Sequence, residues 1–228
     1  MAAVAAVLAT TALHVIGGAN TASAAPPAGA CNDPEPARPP VQAQPWAQQV
    51  LDPELAWPHS RGAGVLVAVV DSGVDADHPQ LRRPGKVRTG RDFYLVGSLP
   101  GAFDCVSHGT GVASIIAADP VAGIGFRGVA PDAEILPVRI SDRDIGGQGE
   151  QLQIDPQVVA NGIRYATDQG AKVINLSLAG HDDFSAIRDA VAYAVSRDAL
   201  VVAAAGNAQR DATTELPSYP AAYDGVLG

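Results

Sequence analysis

An α/β fold, with a mostly parallel sheet and helices on both faces, is predicted for these 228 residues by three observations. Short apolar runs recur from Gly64 onward: "VLVAVV", "AEILPVRI", "AKVINLSL" and "ALVVAAAGN". Each is continuous rather than alternating, as expected of strands buried on both sides. Segments of helical spacing separate them, and strands alternating with helices pack as a parallel sheet with covered faces. Apolar residues make up 47% of the chain, enough for a sizeable core.

The elements follow in order. Residues Met1 to Ala24 read as a secretory signal: Ala, Val, Leu and Ile dominate to Ile16, and "TASAAPP" offers a small-residue cleavage site after Ala24. No Lys or Arg precedes the apolar part, and an Ala-rich disordered tail is the alternative. The run is too short and too broken by Gly17 and Gly18 for a membrane span. Ala25 to Pro40 is rich in Pro and Ala and reads as an extended linker. Val41 to Ala56 has a weak helical pattern anchored by Trp46, Val50 and Leu51. "VLVAVV" is the first strand and ends at Asp71. "GTGVASIIAA" sets Val112, Ala113, Ile116 and Ala117 on one helical face, and "AEILPVRI" is the next strand. "DPQVVANGIRYATDQG" opens with Asp155 as cap and Pro156 at the first helical position, and stops at Gly170. "AKVINLSL" is a strand. "FSAIRDAVAYAV" spaces Phe184, Ile187, Ala190, Val191, Ala194 and Val195 as a helix, and "ALVVAAAGN" is a strand again.

Acidic residues outnumber basic ones, 24 to 15, for a net charge of -9. Such a balance argues against nucleic acid or an anionic membrane surface as the main partner. There are two cysteines, Cys31 and Cys105. Export would permit a disulfide between them, and two unpaired thiols are the alternative.

In a parallel sheet, sites form at the carboxyl ends of strands, where Asp71 and Asn207 both lie. Taken singly, Asp71 reads as a turn residue, His108 in "SHGTGVASIIAA" as a helix cap and Asn207 as part of a Gly-Asn turn. Taken together they supply a carboxylate, a proton carrier that works near neutral pH, and an amide donor for a developing oxyanion.

Their order resolves the ambiguity. "VAVVDSGVDADHPQL", "HGTGVASIIAA", "GVAPDAEILPVRI", "NLSLAG" and "VVAAAGN" resemble the successive blocks of the subtilisin-like serine proteases, from about Val65 to Gly228. The N-terminal extension and the cysteine shortly before the His resemble the mycosins of type VII secretion. The resemblance implies the three-layer subtilisin-like fold. It divides the chain into a signal peptide (1–24), a Pro-rich extension (25–62) and a partial peptidase domain (63–228). It implies that Asp71 orients the imidazole, that His108 is general base and then general acid, and that Asn207 helps form the oxyanion hole. Ser177, Leu178 and Ala179 would pair with an extended polypeptide substrate, although a plain core strand is the alternative reading there. His78 matches a family position without a catalytic role. The cysteine pair is expected to link the extension to the catalytic domain. An exported, extracytoplasmic protein working with the secretion machinery is implied. Membrane association would depend on a C-terminal anchor such as mycosins carry.

The family's nucleophile is a Ser in a Gly-Thr-Ser block, and no such block occurs in the sequence. Ser72, Ser107, Ser177 and Ser218 do not match it. The chain therefore reads as C-terminally truncated, and the 228 residues alone are expected to lack peptidase activity. The alternative is a non-catalytic component of a secretion system that keeps the fold. A nucleotide-binding sheet is a poor reading, since "DSGVDADH" is not a G-x-G-x-x-G turn and no phosphate-binding loop occurs elsewhere in the sequence. No cofactor or metal is expected. Asp182, Asp183 and Asp211 read as helix caps or solvated charges rather than calcium ligands.

Overall fold

The computed structural model describes residues 26, 28–31, 36, 39–95, 99–142, 154–206 and 217–228. Its centre is a parallel sheet whose strands run in the order β2-β3-β1-β4-β5-β6. These are β1 (Leu66–Asp71), β2 (Arg91–Asp92), β3 (Glu134–Arg139), β4 (Val173–Leu176), β5 (Leu200–Ala203) and β6 (Val226–Leu227). The register sets Leu66 opposite Glu134 and Asp71 opposite Arg139 on one side of β1, and Val67 opposite Val173 on the other.

Strand side chains alternate between faces, and the two faces of β1 enter different cores. Leu66, Ala68 and Val70 pack with Leu136, Val138, Ile174 and Val201 under α3 (Pro156–Asp168) and α4 (Ser185–Ser196). Val67 and Val69 pack with Ile135, Val74 and Leu81 under α2 (His108–Ala117). All six residues of β1 are buried. This accounts for the unbroken apolar run in the sequence and for the three-layer architecture.

Helix α3 begins as expected. The Asp155 side chain accepts from the Gln157 amide at 2.8 Å, satisfying a donor that has no partner within the helix, and Pro156 occupies a position where its missing N–H costs nothing. Ile187, Ala190, Val191 and Ala194 of α4 are buried as the spacing predicts. Phe184 and Val195 lie at the margin of that face and remain exposed.

Three expectations need correction. The helical stretch read over 41–56 is only α1 (Trp46–Leu51) followed by a 3-10 turn (Pro53–Leu55). Its supposed anchors face solvent: Trp46 and Val50 are 78% exposed and Leu51 is 62% exposed. The residue that goes inward is polar. The Gln48 side chain bonds the Arg127 carbonyl and accepts from the Arg127 amide at 3.3 Å. The segment is held by hydrogen bonds, among them Gly125 N–H to the Val41 carbonyl at 2.9 Å and Trp57 Nε1–H to the Val129 carbonyl at 2.9 Å. A six-residue helix offers too little surface for apolar docking to decide its orientation. Second, β4 closes at Leu176, so Ser177, Leu178 and Ala179 follow the strand rather than form it. Third, β2 was not anticipated, because two residues carry no readable period.

Candidate active site

Strand β1 ends by delivering Asp71 into the interior at 0% exposure. Burial opposes a charged carboxylate, so its donors decide whether it is tolerated. Two converge on Oδ1: the Ser72 amide at 2.7 Å and His108 Nδ1 at 2.7 Å. Oδ2 is buried and makes no hydrogen bond among the described residues. His108 is the first residue of α2, and a quarter of its side chain (26%) is exposed. The amino end of a helix disfavours a cation by about 1 kcal/mol at most sites. The Asp71 carboxylate in contact with Nδ1 offers a ring proton an acceptor that the amino end of the helix does not, a geometry suited to a ring that takes up and returns a proton. With Nδ1 committed to Asp71, Nε2 lies on the opposite side of the ring.

The approach of α2 to β1 requires two glycines. Gly73 has φ +108, and a Cβ there would sit 1.9 Å from the Phe103 carbonyl oxygen. A Cβ on Gly109 would sit 2.1 Å from the Gly73 carbonyl oxygen and 3.2 Å from Asp71 Oδ1. The "DSG" and "HGT" triplets are thus two halves of one contact. Ser72 lies between them, fully buried. Its Oγ accepts from the Gly109 amide at 2.9 Å and donates to Asp104 Oδ1 at 3.0 Å. Fully buried and with its proton donated to Asp104, Ser72 is not placed to act as a nucleophile. Ser177 Oγ accepts from Asn175 Nδ2 at 2.8 Å.

The remaining predicted residues fall as follows. Asn207 lies outside the described residues; the chain reaches it through Gly206, at φ +93. Ser177, Leu178 and Ala179 run beside the end of β5: Ala204 N–H donates to the Leu176 carbonyl at 3.1 Å, and Gly180 and Tyr219 exchange two backbone bonds. Cys31 and Cys105 are joined, with their Cα atoms 5.4 Å apart, and tie the extension to the loop three residues before His108. His78 Nδ1 accepts from the Gln80 amide at 3.3 Å, and burial pushes its pKa below the ordinary value, with Asp75 opposing. Asp183 is occupied by Arg188 and by the Tyr223 hydroxyl at 3.0 Å. Asp211 lies outside the described residues.

The sequence reasoning missed the supports. Arg139, opposite Asp71 in the register, is fully buried and pairs with the equally buried Asp92 at 2.9 Å, while its guanidinium stacks 4.8 Å from the Phe103 ring. Asp104, four residues before His108, carries no motif, although an acidic residue just ahead of a predicted helix is a legible capping signal.

The subtilase family model matches residues 62–228. Thermitase of Thermoactinomyces vulgaris is 42% identical over 182 residues, which is 80% of this chain and 60% of thermitase. Mycosin-3 of Mycobacterium tuberculosis is 43% identical over 175 residues, 71% of this chain and 36% of the mycosin. Among solved structures, the MycP3 protease from the type VII (ESX-3) secretion system has a TM-score of 0.64 at 32% identity, covering 83% of this chain and 58% of that one. MycP1, described as a serine protease and an essential component of the type VII (ESX-1) secretion system, has a TM-score of 0.67 at 30% identity, covering 86% and 60%. The chain thus spans about 60% of the length of thermitase and of these structures.

Proposed function

The chain belongs to the subtilase family of serine endopeptidases, and from that premise we propose that it carries the Asp-His half of a polypeptide-cleaving site in an exported, mycosin-like protease of type VII secretion. The observation that carries the reading is the 2.7 Å contact between the buried Asp71 carboxylate and His108 Nδ1. In the proposed cycle Asp71 fixes the tautomer and balances the imidazolium. His108 takes a proton from a serine hydroxyl as that oxygen attacks the scissile carbonyl, then returns it to the leaving amine. An acyl-enzyme forms and is hydrolysed by the same proton route in reverse. Asn207 donates to the oxyanion. Ser177 to Ala179 align an extended polypeptide by main-chain pairing, which gives affinity without demanding a particular sequence. The nucleophilic serine belongs to a block that is not among these 228 residues. Residues 1–24 serve as export leader, and 25–62 as an extension bound to the peptidase domain through Cys31 and Cys105.

The test uses protein expressed from the uninterrupted reading frame and a fluorophosphonate probe, which labels only an activated serine. We expect labelling and peptide hydrolysis in the parent and neither in His108→Ala. Undiminished labelling of His108→Ala would defeat the proposal. A parent without labelling that still assembles with secretion components would favour the non-catalytic reading.

A further inference from the structure

Helix α2 starts without help from its own cap residue. Ser107 sits in the left-handed region at φ +64, and its side chain makes no capping bond. The first amides are satisfied from elsewhere: Gly109 N–H by Ser72 Oγ at 2.9 Å and Thr110 N–H by Asp104 Oδ2 at 2.9 Å. Among the described residues Asp104 receives five donors. Oδ1 accepts from Ser72 Oγ (3.0 Å), Val106 N–H (3.1 Å) and Ser107 N–H (3.0 Å), and Oδ2 from Thr110 N–H and Thr110 Oγ (2.7 Å). An ionised carboxylate only accepts, so it dictates where both hydroxyl protons point. Ser72 and Thr110 must donate to it, which leaves their lone pairs for Gly109 N–H and for Asp75 N–H at 2.9 Å. The segment bearing Asp71 and the helix bearing His108 are joined through this one anion, and a backbone bridge between Gly73 and Asp104 runs alongside.

We propose that Asp104 is a positioning residue: acting through Ser72 and Thr110, its carboxylate holds the start of α2 at the separation where His108 Nδ1 meets Asp71. The inference rests on the reading of Asp71 and His108 as a proton-handling pair and assigns that pair a support. Asp104→Asn preserves size but turns one oxygen into a donor. Whichever way the amide faces, it then confronts N–H or O–H groups that also need an acceptor. A mere loop cap would lose stability on this change and leave the His108 ring as it was. A positioning residue alters the ring itself.

The experiment is ¹⁵N NMR of the His108 ring in the 228-residue chain, comparing the parent, Asp104→Asn and Ser72→Ala. Backbone amides of β4 and β5 serve as the check on folding. The parent should show a low-field Nδ1 proton protected from solvent by Asp71. In both variants, with β4 and β5 intact, that proton should exchange faster by about tenfold or vanish, as expected for losing one hydrogen bond. If Asp104→Asn does not fold, Ser72→Ala decides, because it removes only the hydroxyl bridge. A protected proton persisting in either folded variant overturns the inference and leaves the proposed function standing. A parent without the protected proton overturns the pairing itself, and this inference with it.

Discussion

Replacing Gly109 with Ala places one methyl group at the junction of β1 and α2, and the structure sets its consequence. The new Cβ would lie 2.1 Å from the Gly73 carbonyl oxygen, whereas ordinary contact begins at 3.4 Å. The β1 side has little room to yield, because Gly73 is itself pressed against the Phe103 carbonyl. The relief must come from α2 moving outward by about 1 Å, a displacement that costs roughly 10²-fold in rate when it separates reacting groups. The His108 to Asp71 contact would lengthen from 2.7 Å and weaken without being lost. Overpacking of this kind also costs about 1–3 kcal/mol of stability. In protein from the uninterrupted reading frame, Gly109→Ala should therefore lower kcat by about 10²-fold and leave KM nearly unchanged, since the strand edge is not touched. A variant whose kcat stays within about threefold of the parent, with Asp71 and His108 still in contact, would refute the reasoning.

Three further outcomes follow from the supports. Arg139→Met leaves the Asp92 carboxylate buried without its cation, and urea unfolding should show a loss of about 3–5 kcal/mol; a loss under 1 kcal/mol would mean that water reaches the pair. Replacing Cys31 and Cys105 by Ser opens a loop whose ends are 74 residues apart, for an expected loss of about 4 kcal/mol in the same assay. An unchanged midpoint would show that the extension is held by its hydrogen bonds alone. His78 has its pKa lowered by burial, so between that value and the ordinary 6.5 the unfolded chain binds more protons than the folded one. Its contribution is complete above pH 6.5 and is lost as pH falls through the folded pKa. Thermal stability should accordingly decline with acidification below about pH 6.5, and less steeply in His78→Asn; equal slopes in the two proteins would reject this assignment.

Strands β1, β3, β4 and β5 and helices α3 and α4 were legible because each is long enough to show its period and is packed on a face that demands it. Asp71 and His108 were legible because a carboxylate ending a buried strand and a His opening a helix occur here in fixed order. Bonds spanning distant residues were not. Ser72 meets Asp104 across 32 residues and Gly109 across 37, and neither separation leaves a trace in composition or spacing. The ion pair of Arg139 with Asp92 was hidden for the same reason, since charged residues give no sign in sequence that they will be buried together. Apolar character misled at α1, where Trp46 and Val50 look like anchors but a single Gln48 side chain makes the attachment. Short elements held by polar bonds have no apolar stripe to read.

In the proposed cycle Asp71 works only through His108. A double-mutant cycle on kcat, again in protein from the uninterrupted reading frame, tests it most directly. Asp71→Asn should cost about 10⁴-fold and His108→Ala about 10⁶-fold, and the double variant should be no worse than His108→Ala alone. Losses that multiply in the double variant would show two independent roles and contradict the account.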